Sequence, residues 1–321
     1  MIRGHPVAGG VLSLAASSSG PEAAEESLTI CCLWKGVYLR PRAGSCYNHL
    51  YMKMQEFQEL VWDYYHQHGR ALPWRESEPD GNFDPYKILV SEIMLQQTQA
   101  ARVVPKYLAF VTKFPTVQAL ADAPLSAVLS EWSGLGYNRR AKYLHQAAQA
   151  FAIGYDPIAR WSVEDLVECK GVGPNTAAAV CVYAYNLPLV FIETNIRTVF
   201  IHHFFATGSY PVADKELLLL VEESLDWGHP REWYWALMDY GVHLKAMVGN
   251  ASRASKHYAR QSKFEGSKRQ VRGQVLRLLG GQPRAKTELI RLIPDERLGT
   301  VLGDLKREGL ISVQKGKYLL G

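Results

Sequence analysis

From residue 54 onward the chain reads as a succession of short segments in which apolar positions recur every three to four residues. Phe57, Leu60, Val61 and Tyr64 share one face over 54–70. Leu72-Pro73-Trp74-Arg75 breaks that pattern. Asp84-Pro85, an N-cap acid before a first-turn proline, opens the next helix, which the pattern carries to about Gln99. Further helices are predicted at 101–113, 116–121, 124–132, 138–154, 162–169, 174–186, 193–205, 213–226 and 230–245, with short Gly- or Pro-bearing loops between them. Period-2 alternation is nearly absent before residue 310, so the pattern predicts an all-α body over 52–250.

Residues 268–321 form a second unit. Val271, Val275, Leu276 and Leu279 mark one helix. Leu289, Ile290 and Leu292 mark a short second one, and Leu298, Val301, Leu302 and Leu305 a third. Leu310–Val313 and Tyr318–Leu320 flank a hairpin-like turn at Gln314-Lys315-Gly316-Lys317. Three helices and a hairpin resemble a winged helix-turn-helix, whose third helix enters the DNA major groove. Units of this size also serve as protein-binding modules.

Charge sharpens this division. Residues 251–321 carry 16 Lys/Arg against 6 Asp/Glu, whereas the first 250 carry 20 against 25. A basic C-terminal part, with 251–267 as a basic linker, points to a polyanion, nucleic acid first. The five cysteines form no C-x-x-C pair, which argues against a disulfide framework or zinc site and for a reduced compartment. No apolar run approaches the roughly 20 residues of a membrane span. Residues 1–51, Gly/Ala/Ser-rich and then acidic, are expected to be a disordered extension or to precede a true start at Met52 or Met54.

Two features carry candidate chemistry. The first is Lys170-Gly171-Val172-Gly173-Pro174-Asn175-Thr176, between two helices. Its glycines permit a tight turn with unusual backbone angles. The N–H groups opening the second helix then face outward at the positive end of its dipole, which suits a phosphate. The second is a pair of acids. Glu92 lies within an apolar run, Ile88–Leu95, followed by Gln96-Gln97-Thr98-Gln99, whose amides and hydroxyl can bond base edges. Glu193, after the apolar run 187–192, starts a helix that also includes Asn195, and a helix-capping acid is the plain alternative for it.

Taken in order, Glu92 in its segment, the Gly171-Val172-Gly173 hairpin and Glu193-Thr194-Asn195-Ile196-Arg197 resemble the helix-hairpin-helix DNA glycosylase superfamily. Within it the chain is similar to the MutY adenine glycosylases. Leu72–Arg75, Pro85-Tyr86-Lys87, Leu95–Gln99, Phe114-Pro115-Thr116, Gly134-Leu135-Gly136-Tyr137 and Leu144-His145 match that pattern over roughly 54–245. The resemblance implies a two-lobed helix-hairpin-helix body and removal of a flipped adenine paired with guanine or 8-oxoguanine. It implies Glu92 as the acid, Glu193 as the anion facing the sugar cation and Asn195 as an organiser of that site. It places Arg70 and Trp74 in the adenine pocket, Gln97 and Thr98 near the extruded site and the widowed base, and Tyr137 as the wedge into the base stack. Lys170, Gly171, Val172, Gly173, Asn175 and Thr176 form the backbone-gripping hairpin.

The chain departs from the family in four places. Glu193 replaces an Asp, so its carboxylate must retract or the backbone must shift. Asn175 stands where lyase relatives carry Lys, which predicts a monofunctional glycosylase. Lys245 stands at the first of four iron–sulfur cysteine positions and no cysteine follows Cys181, so the cluster is expected to be absent. Lys245, Arg253, Lys256 and Arg260 are expected to stand in for its DNA-contacting loop. The winged-helix-like unit is expected to stand in the place of the family's Nudix-like C-terminal domain. The alternatives are a same-fold glycosylase for another base, such as mismatched thymine or uracil or a damaged adenine, and an inactive DNA-binding regulator. The expected partner is double-stranded DNA. The expected state is a monomer without a membrane or metal, cytoplasmic and nucleoid-associated, or in an organelle or nucleus in a eukaryote.

Overall fold

The computed structural model describes residues 53–153, 160–205, 211–258, 260 and 263–321. The stretch 1–51 lies outside these residues. Eleven helices make the body among the described residues: α1 Met54–His68, α2 Pro85–Leu95, α3 Ala100–Lys113, α4 Val117–Asp122, α5 Leu125–Glu131, α6 Arg139–Ala152, α7 Val163–Glu168, α8 Pro174–Tyr185, α9 Thr194–Phe204, α10 Asp214–Glu223 and α11 Pro230–Met247. They pack as two lobes. In one, α2 lies against α3, α6 and α8, with α4 and α5 on α6 and α7 on α8; in the other, α11 lies against α1 and α9, with α10 on α9. The α8–α11 contact joins them.

The apolar rows explain these contacts. In α1 the inward row is Phe57 and Val61, an i, i+4 pair; Phe57 meets Phe200, Phe204 and Trp233 with ring centroids 5.1–6.2 Å apart. Helix α8 is buried along Ala177–Ala184, and its alanines let α2 approach closely. Asp84 caps α2 by accepting from the Tyr86 N–H at 2.8 Å, with Pro85 in the first turn.

Helix α2 stops at Leu95 rather than Gln99. The Arg140 guanidinium, buried between α6 and α2, donates to the carbonyls of Ile93, Met94 and Gln96 at 2.8, 2.9 and 2.6 Å. These carbonyls lack partners within a helix that ends there. The chain then turns, with Gln97 left-handed at φ 55°.

In the C-terminal unit, α12 Lys268–Gly281, α13 Lys286–Leu292 and α14 Leu298–Arg307 precede strands β2 Ile311–Gln314 and β3 Lys317–Leu320. A two-residue strand, β1 Arg284–Ala285, pairs with the far side of β3 and is too short to show alternation in sequence. On α13 the inward row is Leu289 with Ile293 just beyond the helix, whereas Ile290 and Leu292 are exposed. The unit is seated on the body, with α12 and β3 against α5. The stretch expected as a linker from 251 begins with a 3₁₀ turn, Ala251–Ala254, pinned to the body. The Val212 and Lys256 N–H groups close a bridge there, each at 2.9 Å, and Ser252 and Ser255 are buried. No described helix is long and apolar enough to cross a membrane.

Candidate active site

The lobes enclose an open cleft of about 1520 Å³, more than the upper end of ordinary small-molecule pockets, about 1,000 Å³. Arg70, Trp74, Glu92, Gln97, Thr98, Tyr137, Gly171, Asn175, Thr176, Glu193 and Asn195 all line it. Lys170, Val172 and Gly173 do not: Val172 is buried as the hairpin's apolar anchor, and Lys170 and Gly173 are exposed outside the cleft. Only backbone groups of Val172 and Gly173 can meet a ligand.

Glu92 reaches the cleft from the middle of α2 between the buried residues Ser91 and Ile93. Among the described residues no donor bonds its carboxyl. Burial first, and the negative charge of Glu193 second, push its pKa up to about 8, with the nearby Arg75 working against both. Such a group is protonated at neutral pH and can act as an acid.

Glu193 is the N-cap of α9. Its extra methylene folds the carboxylate back, so that Oε1 accepts from the N–H groups of Asn195 and Ile196 at 2.5 and 3.0 Å. The Asn195 amide donates to Oε2 at 3.3 Å. The side chain thus retracts onto its own helix, and the capping role and a place in the cleft coincide in one residue. Burial, the largest influence, leaves its pKa raised, although Lys245, the two N–H bonds and Arg197 pull it down. Of the pair, Glu193 is the one better suited to carry the charge and Glu92 the proton, because among the described residues donors bond only the Glu193 carboxylate. The loop leading to it is fixed by Tyr234, whose ring stacks on Phe191 at 4.0 Å and whose hydroxyl accepts from the Phe191 N–H and donates to the Leu189 carbonyl.

Asp239, almost wholly buried, accepts two bonds of 2.8 Å from the Arg75 guanidinium and further bonds from the Arg70 backbone N–H and guanidinium at 2.8 and 2.7 Å. These bonds hold its carboxyl below the usual range although burial alone would raise it. Arg70 therefore lines the cleft as a tethered cation. Trp74 is buried beside it, edge-on to Tyr107.

Tyr137 protrudes from the Gly134–Gly136 loop at φ 46°, a strained angle for an aromatic residue. Arg140 lies beneath its ring, 5.5 Å from the centroid. Arg269 of α12 also lies 5.5 Å from the centroid and donates to its hydroxyl at 2.5 Å. Lys268, Arg269 and Arg272 extend the cleft wall beyond Tyr137.

In the hairpin only Gly171 has a left-handed angle, φ 91°; a Cβ there would meet Tyr143 Cδ2 at 2.6 Å. Gly173 has ordinary angles, φ −88° and ψ 169°, as the N-cap of α8. What it supplies is open space, since nothing lies within 4 Å of a Cβ built on it. The first N–H groups of α8 are therefore approachable. Asn175 Oδ1 accepts from the Ile192 N–H at 3.4 Å, tying the hairpin to the loop before Glu193.

Arg75, Arg140, Tyr183 and Asp239 escaped the sequence reading, because charges and aromatics at helical spacing look the same whether buried or solvated. Lys245 was expected to face DNA. It lines the cleft and donates to Asn195 Oδ1 at 2.6 Å.

A family profile described as HhH-GPD superfamily base excision DNA repair protein matches residues 90–223, which take in Glu92, the hairpin and Glu193. Over these residues the chain is similar to the HhH-GPD superfamily. An adenine DNA glycosylase of Mycolicibacterium smegmatis is 29% identical over 295 residues, 84% of this chain and 97% of that protein. Another, of Buchnera aphidicola subsp. Baizongia pistaciae, is 33% identical over 187 residues, 58% of this chain and 52% of that protein. A third, of Mycobacterium tuberculosis, is 43% identical over 140 residues, 44% of each chain. The matches thus span about half the length of the latter two. A solved thermostable thymine-DNA glycosylase shares the fold, with a TM-score of 0.51 at 23% identity over 64% of this chain and 96% of that one.

The iron–sulfur cluster implied by the MutY resemblance needs four thiolates from position 245 onward. From Lys245 to the C-terminus the chain has no cysteine. The described free thiols, Cys169 and Cys181, are buried in the hairpin lobe, with the Cys181 pKa pushed up to about 11 by burial. The residues present do not fit the cluster.

Proposed function

We propose that this protein is a monofunctional, cluster-independent adenine DNA glycosylase that hydrolyses the N-glycosidic bond of a flipped adenine opposite guanine or 8-oxoguanine. The observation that carries this is the acid pair: Glu92, desolvated and without a bonded donor among the described residues, and Glu193, held by N–H donors, line one cleft beside the hairpin. Glu92 gives its proton to a ring nitrogen of adenine as the C1′–N bond breaks, so that the electron pair leaves with a neutral base. Glu193 faces the oxocarbenium-like sugar, as the second carboxylate does in glycoside hydrolysis. Water adds its oxygen to C1′ and returns a proton to Glu92. No lysine stands at position 175 to form a Schiff base, which supports hydrolysis without strand cleavage.

Recognition divides between the lobes. The exposed α8 N-terminus suits a phosphate. Tyr137 is poised to fill the gap left by the flipped base. The basic edge of α12 adjoins it, with Arg269 against the Tyr137 ring. The protein works on duplex DNA as a monomer.

The test is incubation with duplexes bearing A:8-oxoG, A:G, T:G, U:G or hypoxanthine pairs, followed by alkali. Strand breaks at adenine, only after alkali, are expected. Breaks confined to thymine or uracil would move the substrate to another base, and tight binding without excision would make the protein a regulator.

A further inference from the structure

Lys245 stands in the last turn of α11, four residues after Gly241, so the two share the face turned to α9. Gly241 allows a close crossing: a Cβ there would sit 2.6 Å from the Asn195 carbonyl oxygen. One turn further, the Lys245 ammonium meets Asn195 Oδ1. An ammonium can only donate, so it fixes which end of the amide faces it. The amide nitrogen is then directed to Glu193 Oε2 at 3.3 Å, with Met238 Sδ at 3.8 Å on its other side.

We propose that Lys245 is a positioning residue for excision: it locks the Asn195 amide and, through it, holds the Glu193 carboxylate as the anion facing the sugar. The proposal rests on Glu92 and Glu193 being the excision pair and adds a residue that the pair alone does not include. The charged and titratable groups around Glu193 are Glu92 on α2, Tyr183 on α8, Arg197 on α9 and Lys245 on α11. Arg197 is already engaged by Asp214 at 2.8 and 2.5 Å. Lys245 is the largest influence opposing the burial of Glu193. Without it, the Asn195 amide is free to flip and turn its oxygen towards the carboxylate. Glu193 then competes with Glu92 for the proton.

The test is Lys245→Met, with Lys245→Arg as the rescue. Single-turnover excision is expected to fall about 10²-fold, the cost of a misplaced catalytic group. Duplex affinity should stay unchanged, the acid limb of the pH–rate profile should move to higher pH, and Arg should restore part of the rate. Titration of the Glu193 carboxyl by carbon-13 NMR, assigned with Glu193→Gln, is independent of activity and should show a higher pKa in Lys245→Met. An unmoved titration overturns the proposal. So does lost affinity at unchanged rate, which marks a phosphate contact, or a borohydride-trapped DNA adduct that vanishes in Lys245→Met, which marks a nucleophile. If the wild type excises no base while the titration still moves, the excision reading fails and only the link from Lys245 to Glu193 survives.

Discussion

At the residue scale, Glu92 lies in a cleft that sustains two opposite demands. For the proposed excision it must stay protonated to give up a proton, yet stand close enough to an ionised Glu193 to serve the same sugar. Burial satisfies the first, and the α9 N-terminus, whose N–H groups bind the Glu193 carboxylate, satisfies the second. Excision should therefore fall as pH rises through about 8, the Glu92 value. Glu92→Gln, which keeps the shape but has no acid proton, should lower single-turnover excision by about 10²–10⁴-fold, the usual worth of a general acid, without weakening duplex binding. A mutant at wild-type rate would remove Glu92 from the mechanism. The same shift has a stability consequence with a definite sign. A carboxyl whose folded pKa is raised above 4.5 is at no disadvantage below that value, and stability is lost as pH rises from there through about 8. Glu92→Gln should thus melt at a higher temperature than the wild type at pH 8 and at a similar one at pH 4, which paired thermal scans would check.

At the scale of elements, α2 and the hairpin show what the sequence could and could not convey. The order of Glu92, hairpin and Glu193 was legible, because motif order survives in one dimension. The end of α2 was not, because the side chain that terminates it, Arg140, comes from α6, more than 40 residues away in the chain. Asp239 was illegible for the same reason: its partners Arg70 and Arg75 lie on the first lobe's entry segment, and nothing local marks an acid as buried. The Gly171 and Gly173 pair was legible as a turn, but the different physical need for each appears only in three dimensions. That difference can be measured. Gly171→Ala combines a left-handed angle with a clash against Tyr143 and should destabilise the protein by about 1–3 kcal/mol. Gly173→Ala meets open space and should leave urea stability nearly unchanged. Its new methyl stands over the α8 N-terminus, however, so it should weaken DNA binding. Equal affinity for Gly173→Ala and wild type would remove the phosphate from this site. Asp239→Asn should be the costliest single change in the body, about 3–5 kcal/mol in urea unfolding, because it strips a buried charge from two guanidinium groups.

At the scale of the whole molecule, the C-terminal unit does more than add positive charge. Its third helix, expected to enter a groove, carries Asp304, with Glu308 just past its end, towards α12, where they pair with Lys268 and Arg272. Glu308 is also held to the body by Lys142, whose ammonium donates to its carbonyl at 2.6 Å. Five of the 16 Lys/Arg of residues 251–321, Lys268, Arg272, Arg284, Arg297 and Arg307, thus pair with acids inside the unit. Arg272 and Arg269, three residues apart on α12, divide these roles. Arg272 is engaged by Glu308, and Arg269 lies on Tyr137. If Tyr137 enters the duplex, Arg269 travels with it towards the phosphates or the opposite base. Arg269→Ala should accordingly weaken duplex affinity and reduce the slope of log affinity against log salt by about 1, as for one lost phosphate contact. Arg272→Ala should leave that slope unchanged and lower the melting temperature instead, since it leaves Glu308 without its bidentate partner. Salt titrations of both variants on one A:8-oxoG duplex separate the two roles. A slope that moves with Arg272→Ala and not with Arg269→Ala would mean that the unit presents a different face to DNA.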